Sequence, residues 1–186
     1  MNLRTPAPLL TLLAALAIGV SCSGQPVPGS PNLTDRQRSG IADTVRKLLI
    51  AATDLTHSSE AAVDDPAGRM LALYPTTGRV ISASGGELIV GRDSLAAAVN
   101  WFWENVGSNM VRPTWRWGEM YVDVLAADAA VVTAAYRIPH LTPTGHAHVI
   151  GGAWTAVFAN RDGRWVVVQE HLSDAPPGMT LTPDGR

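Results

Sequence analysis

The chain has 186 residues, long enough for one domain to bury roughly two-thirds of its unfolded surface once loose ends are set aside. Charged residues make up only 16% of it and the formal net charge is -2, with lysine and arginine scattered and no basic stripe; this excludes electrostatic binding of nucleic acid. Six tryptophans predict aromatic surface in a pocket or an interface as well as in the core, and a single cysteine excludes an intramolecular disulfide.

Residues 1–21 carry one basic residue, Arg4, then an apolar run from Leu9 to Val20 and small residues. That is the layout of a secretory signal, too short to span a membrane comfortably. Cys22 stands where such a signal would be cut. The segment "GVSC" resembles the lipobox of bacterial lipoproteins, with Gly19 in place of the usual leucine. The resemblance implies acylation of Cys22, which would anchor the protein stably in the cell envelope; the alternative is plain secretion with an unmodified cysteine. Residues 22–33 are rich in Ser, Pro and Gly and read as a flexible tether, residues 34–175 as one folded domain, and residues 176–186 as a flexible tail.

Folding is expected to begin with a helix capped by Thr34 and Gln37, with Ile41, Val45, Leu48, Leu49 and Ala52 on one face. A short second helix follows in "DDPAGRMLALYP", capped by Asp65, opened by Pro66 and stopped by Pro75. "GRVISASGGELIVG" reads as a hairpin turning on Gly85 and Gly86. The third helix, "RDSLAAAVNWFWENVG", places Leu95, Val99, Phe102 and Val106 on one face and closes at Gly107; Trp101 and Trp103 are expected to pack in the core. From Trp115 onward four strands follow, joined by "AADA", "HLTPTG" and "NRDG", short enough for an antiparallel meander. Gly151 and Gly152 fall mid-strand, where a bulge or bend is expected. The order predicts an α+β domain with helices packed on one face of a curved sheet.

This order, together with the closing stretch "DGRWVVVQEHLSDAP", resembles the nuclear transport factor 2-like superfamily. Its SnoaL-like branch and the association domain of calcium/calmodulin-dependent kinase II are the most similar. Asp162, Gly163, Trp165, His171, Ser173 and Pro176 carry the resemblance, with "VLAADAAVVTAAYRI" and "GGELIVGRDSLAAAVNWFW" upstream. It implies a cone-shaped, curved antiparallel sheet with about three helices on its concave face. It does not imply one reaction, because the superfamily holds isomerases, cyclases, dehydratases and domains without chemistry.

Pairing Phe158 with Trp165 and Leu125 with Ala130 puts Met120, Val122, Thr133, His148, Trp154, Gln169 and His171 in the cone. In the kinase association domain the matching arginine points inward, so the resemblance adds Arg137. The opposite face then holds Trp117, Tyr121, Tyr136, Ile138 and Val168, with Glu170 among them, and is expected to be covered in a homodimer. His171 is the best candidate for a general base, against a structural role bonded to backbone or to Ser173. Arg137 either binds an anionic group or forms an ion pair with Glu119, Asp123 or a helix acid. His140, His146 and His148 lack the companions a metal site needs, and neither metal nor cofactor is expected. The expected function is binding of a small, largely apolar molecule by Arg137, His148, Trp154, Gln169 and His171. The alternatives are a proton-transfer enzyme of the isomerase, cyclase or dehydratase type, and an assembly module without chemistry.

Overall fold

The computed structural model describes residues 33–55, 65–175 and 181; the expected signal, Cys22 and nearly all of the expected tether and tail lie outside the described residues. Helix α1 (Asp35–Ala52) opens on the expected reciprocal cap. The Thr34 hydroxyl accepts from the Gln37 N–H, and the Gln37 side chain accepts from the Thr34 N–H at 2.9 Å. Ala42, Val45 and Leu49 are buried, whereas Leu48 sits at the edge of that face and is exposed. Helix α2 (Pro66–Leu71) is capped by Asp65, whose carboxylate accepts from the Gly68 N–H. It ends well before Pro75, and the turn that follows sends Leu73 and Tyr74 into the core.

Strands β1 (Ile81–Ser84) and β2 (Glu87–Val90) form the hairpin on Gly85 and Gly86, both at positive φ. Helix α3 (Arg92–Asn105) buries Leu95 and packs Val99, Phe102 and Trp103 against the core, then passes into a short 3-10 turn at Gly107–Asn109. Trp101 departs from expectation: it projects from the opposite side of α3 and is 60% exposed.

The remaining strands are β3 (Arg116–Ala126), β4 (Ala129–Leu141), β5 (Ala147–Arg161) and β6 (Arg164–Asp174), an antiparallel meander as expected. The six strands form one open sheet in the order β2-β1-β6-β5-β4-β3. Strand β1 runs parallel to β6, with Ile81 opposite Gln169 and Ala83 opposite His171. The sheet is therefore mixed, not wholly antiparallel. The parallel pair joins two strands separated by α3 and three strands of the meander, the long connection that a parallel pair requires and that local turns do not encode.

Register decides which side chains meet. Strand β6 holds one extra residue, Val168, between the pairs Phe158–Val167 and Val157–Gln169. Strand β3 carries two similar irregularities, near Leu125 and at Gly118–Glu119. An inserted residue turns the side chains beyond it to the other face. Gly151 and Gly152, where a bulge was expected, lie in unbroken register with β4. They permit close packing instead: a Cβ at Gly152 would collide with the Ser173 carbonyl, and one at Gly151 with the Tyr136 carbonyl.

Candidate functional site

The helices and the inner face of the sheet enclose a cavity of about 260 Å3. Its floor is built from alternate residues of neighbouring strands: Trp117 on β3, Tyr136 and Ile138 on β4, Trp154 on β5, and Glu170, Leu172 and Asp174 on β6. Val99, Phe102 and Trp103 of α3 close one side, with Leu49 and Thr53 from the end of α1 and Tyr74 from the turn after α2. The wall is almost wholly apolar, and its rings touch one another. Trp115 stacks on Tyr136 with centroids 5.4 Å apart, and Trp117 lies 5.7 Å from Trp154.

One carboxyl group is set into this wall. Glu170 is 5% exposed, and its Oε2 accepts from the Tyr74 hydroxyl at 2.7 Å and from the Trp154 indole N–H at 2.8 Å. The sequence supplies the three parts from distant places, and the extra residue Val168 turns Glu170 toward the other two. Burial raises the Glu170 pKa above the ordinary glutamate value; hydrogen bonds from Ser82, Tyr74 and Trp154 oppose the rise. Burial, followed by the neighbouring Glu170 charge, pushes the Tyr74 phenol well above its usual range, so it stays a neutral donor. Near the far end of β6, the Tyr136 hydroxyl donates to Asp174 Oδ1 at 3.4 Å; the Tyr136 pKa is pushed up to about 12, chiefly by burial. This arrangement can seat an apolar molecule and hold a hydrogen-bonding group, or a proton, at Glu170.

The structure reverses much of the facing that uninterrupted strands predict. Trp154, Met120 and Val122 do point inward. Gln169 and His171 do not: beyond Val168 they turn to the outer face and are exposed, with His171 opposite Thr155. Arg137 is also outside the cavity. It folds back on the backbone, its Nη1 donating to the carbonyls of Tyr136 at 2.7 Å and Gly152 at 3.3 Å. His148 is exposed and lies beside His140, Nδ1 to Nε2 3.2 Å, while His146 bonds Thr144. Conversely, Trp117, Tyr136 and Ile138, expected on the outer face, form the floor of the cavity, because the irregularities of β3 shift its pairing. Tyr121 does lie outside, 60% exposed, and Val168 is the half-buried extra residue itself. Sequence reasoning thus missed Glu170 and Asp174 as site residues. The available signal was a glutamate two residues beyond the valine run of "VVVQEHL", whose valines predict burial.

Comparison with known proteins agrees with this architecture. Residues 55–177 match the model of the SnoaL-like domain. No curated protein matches by sequence. Among solved structures, a candidate scytalone dehydratase from Novosphingobium aromaticivorans superposes with a TM-score of 0.58 at 13% identity, covering 77% of this chain and 89% of that one. The association domain of C. elegans CaMKII gives 0.52 at 20% identity, covering 74% and 95%. A nuclear transport factor 2-like protein from Salmonella enterica gives 0.54 at 15% identity, covering 78% and 96%. With the family model spanning most of the chain and the same sheet-and-helix architecture in these neighbours, the protein belongs to the SnoaL-like domain family and has the nuclear transport factor 2-like fold.

Proposed function

We propose that this protein binds a small, largely apolar molecule in its cone, with the Glu170 carboxyl as the polar anchor. The observation that carries the reading is the cavity of about 260 Å3, lined by aromatic and aliphatic side chains around one buried, hydrogen-bonded carboxyl group. Small-molecule sites have this composition, an apolar wall with few polar groups that fix orientation. Native mass spectrometry of the purified protein tests it, with tryptophan fluorescence as the solution readout. Ala98→Trp, which fills the cavity from α3, is expected to abolish uptake; a ligand retained by that variant would place the binding elsewhere.

A second reading is proton-transfer catalysis in the same cavity. It is favoured by the raised pKa of Glu170, because a carboxyl group poised nearer neutrality can take and return a proton. Turnover of a candidate substrate abolished by Glu170→Gln with binding retained would support it; turnover surviving that change would refute it. We further propose that the outer face of the sheet pairs with a second copy, as the name of the C. elegans neighbour suggests for that protein. Exposed Tyr121, Thr133 and Thr155 stand on this face, and Tyr121→Asp should lower self-association in sedimentation without altering the cavity. Export, with lipidation at Cys22, is proposed from the leader alone; mass spectrometry of the cell-envelope fraction would reveal or exclude acyl chains on that residue.

A further inference from the structure

The polar groups of the cavity are one-sided. Nearly every donor in its wall is already committed. The hydroxyl of Tyr74 and the indole N–H of Trp154 both go to Glu170 Oε2. The Trp117 N–H goes to Thr53 Oγ1 at 2.9 Å, and the Thr53 hydroxyl to the Leu49 carbonyl at 3.0 Å. The Trp103 N–H points at Met70 Sδ at 3.2 Å, and the Tyr136 hydroxyl at Asp174. The Trp115 N–H has no partner but is itself covered. Among the described lining residues, the hydroxyl of half-buried Ser84 is left open to either role.

The acceptors are not exhausted. An ionised carboxylate offers about four lone-pair sites and no donor, and the two strong bonds to Glu170 fall on Oε2 alone. Even with the Ser82 hydrogen bond added, three donors leave one of those sites unused. Asp174 adds a second carboxylate to the lining. No lysine, arginine or histidine lines the cavity among the described residues. Arg137 is turned away, and Arg92, whose charge Tyr74 feels, stands outside the lining. What remains is acceptor oxygen and the faces of Trp115, Trp117, Tyr136 and Trp154, which carry negative quadrupole potential.

We propose that the cone takes a small organic cation, an ammonium group on an apolar or aryl body, donating its N–H bonds to the Glu170 carboxylate while its charge rests against the indole and phenol rings. The assignment rests on the reading of the cone as a small-molecule site and adds the charge of the ligand. The physical gain is mutual. A carboxylate buried without a cation is penalised, and an ammonium drawn out of water is penalised; paired in the cavity, each removes part of the other's cost. An anionic ligand meets two carboxylates, with the Ser84 hydroxyl as the one accessible donor among the described lining residues. A neutral one gains burial only.

Three probes of nearly equal size separate these cases: 2-phenylethylammonium, 2-phenylethanol and phenylacetate, titrated calorimetrically into the purified full chain with tryptophan fluorescence as a second readout. The ammonium is expected to bind at least about tenfold more tightly than the alcohol, and phenylacetate more weakly than both. Glu170→Gln should remove the advantage of the ammonium, and Asp174→Asn, at an exposed position, should reduce it a few-fold. Equal binding of the three probes, or a preference for phenylacetate, overturns the cation assignment and leaves the small-molecule reading standing. A preference that survives Glu170→Gln overturns the role of Glu170. Binding of none overturns both readings.

Discussion

Tyr74→Phe removes a single oxygen from the cavity wall, and its cost can be worked from the geometry. The Tyr74 ring is buried, and its hydroxyl does nothing in the fold except donate to Glu170 Oε2 at 2.7 Å. Phenylalanine preserves the ring packing and leaves Oε2 with the Trp154 N–H alone. Hydrogen bonds to a charged partner contribute about 1.5–3 kcal/mol, and those between neutral groups about 0.5–1.5 kcal/mol. The loss should therefore depend on the state of Glu170. Well above its raised pKa the substitution is expected to cost about 2 kcal/mol, and well below it about 1 kcal/mol. Urea unfolding of both proteins at several pH values measures the difference, and repetition in a Glu170→Gln background gives the coupling between the two side chains. A cost that is flat with pH, or a coupling near zero, would refute the view that the hydroxyl acts by stabilising a buried carboxylate.

Glu170→Gln should change stability with a definite sign. Because burial raises the folded-state pKa above the ordinary value of 4.5, the contribution of Glu170 is fully present below that value and is lost as pH rises through the folded pKa. The glutamine variant should therefore gain on the parent across that window, and melting curves of the two that stay parallel with pH would contradict the raised pKa. Gly152→Ala should destabilise by about 1–3 kcal/mol, because the new Cβ must push the Ser173 carbonyl away and separate β5 from β6; chemical denaturation measures it. His171→Ala, at an exposed position on the outer face, should shift stability by less than about 0.5 kcal/mol and leave ligand uptake intact. A loss of uptake would return His171 to the site.

Local chemistry made most of the architecture legible. Thr34 and Gln37 announced α1, Asp65 with Pro66 announced α2, and Gly85 with Gly86 set the first hairpin. Asp162 and Gly163, both at positive φ, make the two-residue turn between β5 and β6. Each of these signals acts within a few residues, so each could be read from the chain alone. The same holds for the order of helix, helix, hairpin, helix and meander, and for the family resemblance built on it.

The candidate site was legible only in part, for a physical reason. Strand alternation reads one face from the other with a period of two, and one inserted residue reverses everything beyond it. Val168 in β6 and the irregularity at Gly118–Glu119 of β3 did this, exchanging His171 for Glu170 and bringing Trp117 to the inside; Tyr136, on unbroken β4, is inside because Ala130 pairs with Val124 and not with Leu125. Nothing in the valine run marks which residue is the extra one, because Val166, Val167 and Val168 favour an extended strand alike. The position of the insertion is chosen by packing across β5 and by the parallel strand β1, partners far away along the chain. By itself, then, the sequence determined the elements, their order and the amount of apolar surface to be buried. The tertiary structure decided which polar groups share that buried space, since a carboxyl group from β6, a phenol from the turn after α2 and an indole from β5 meet only once the sheet has its register.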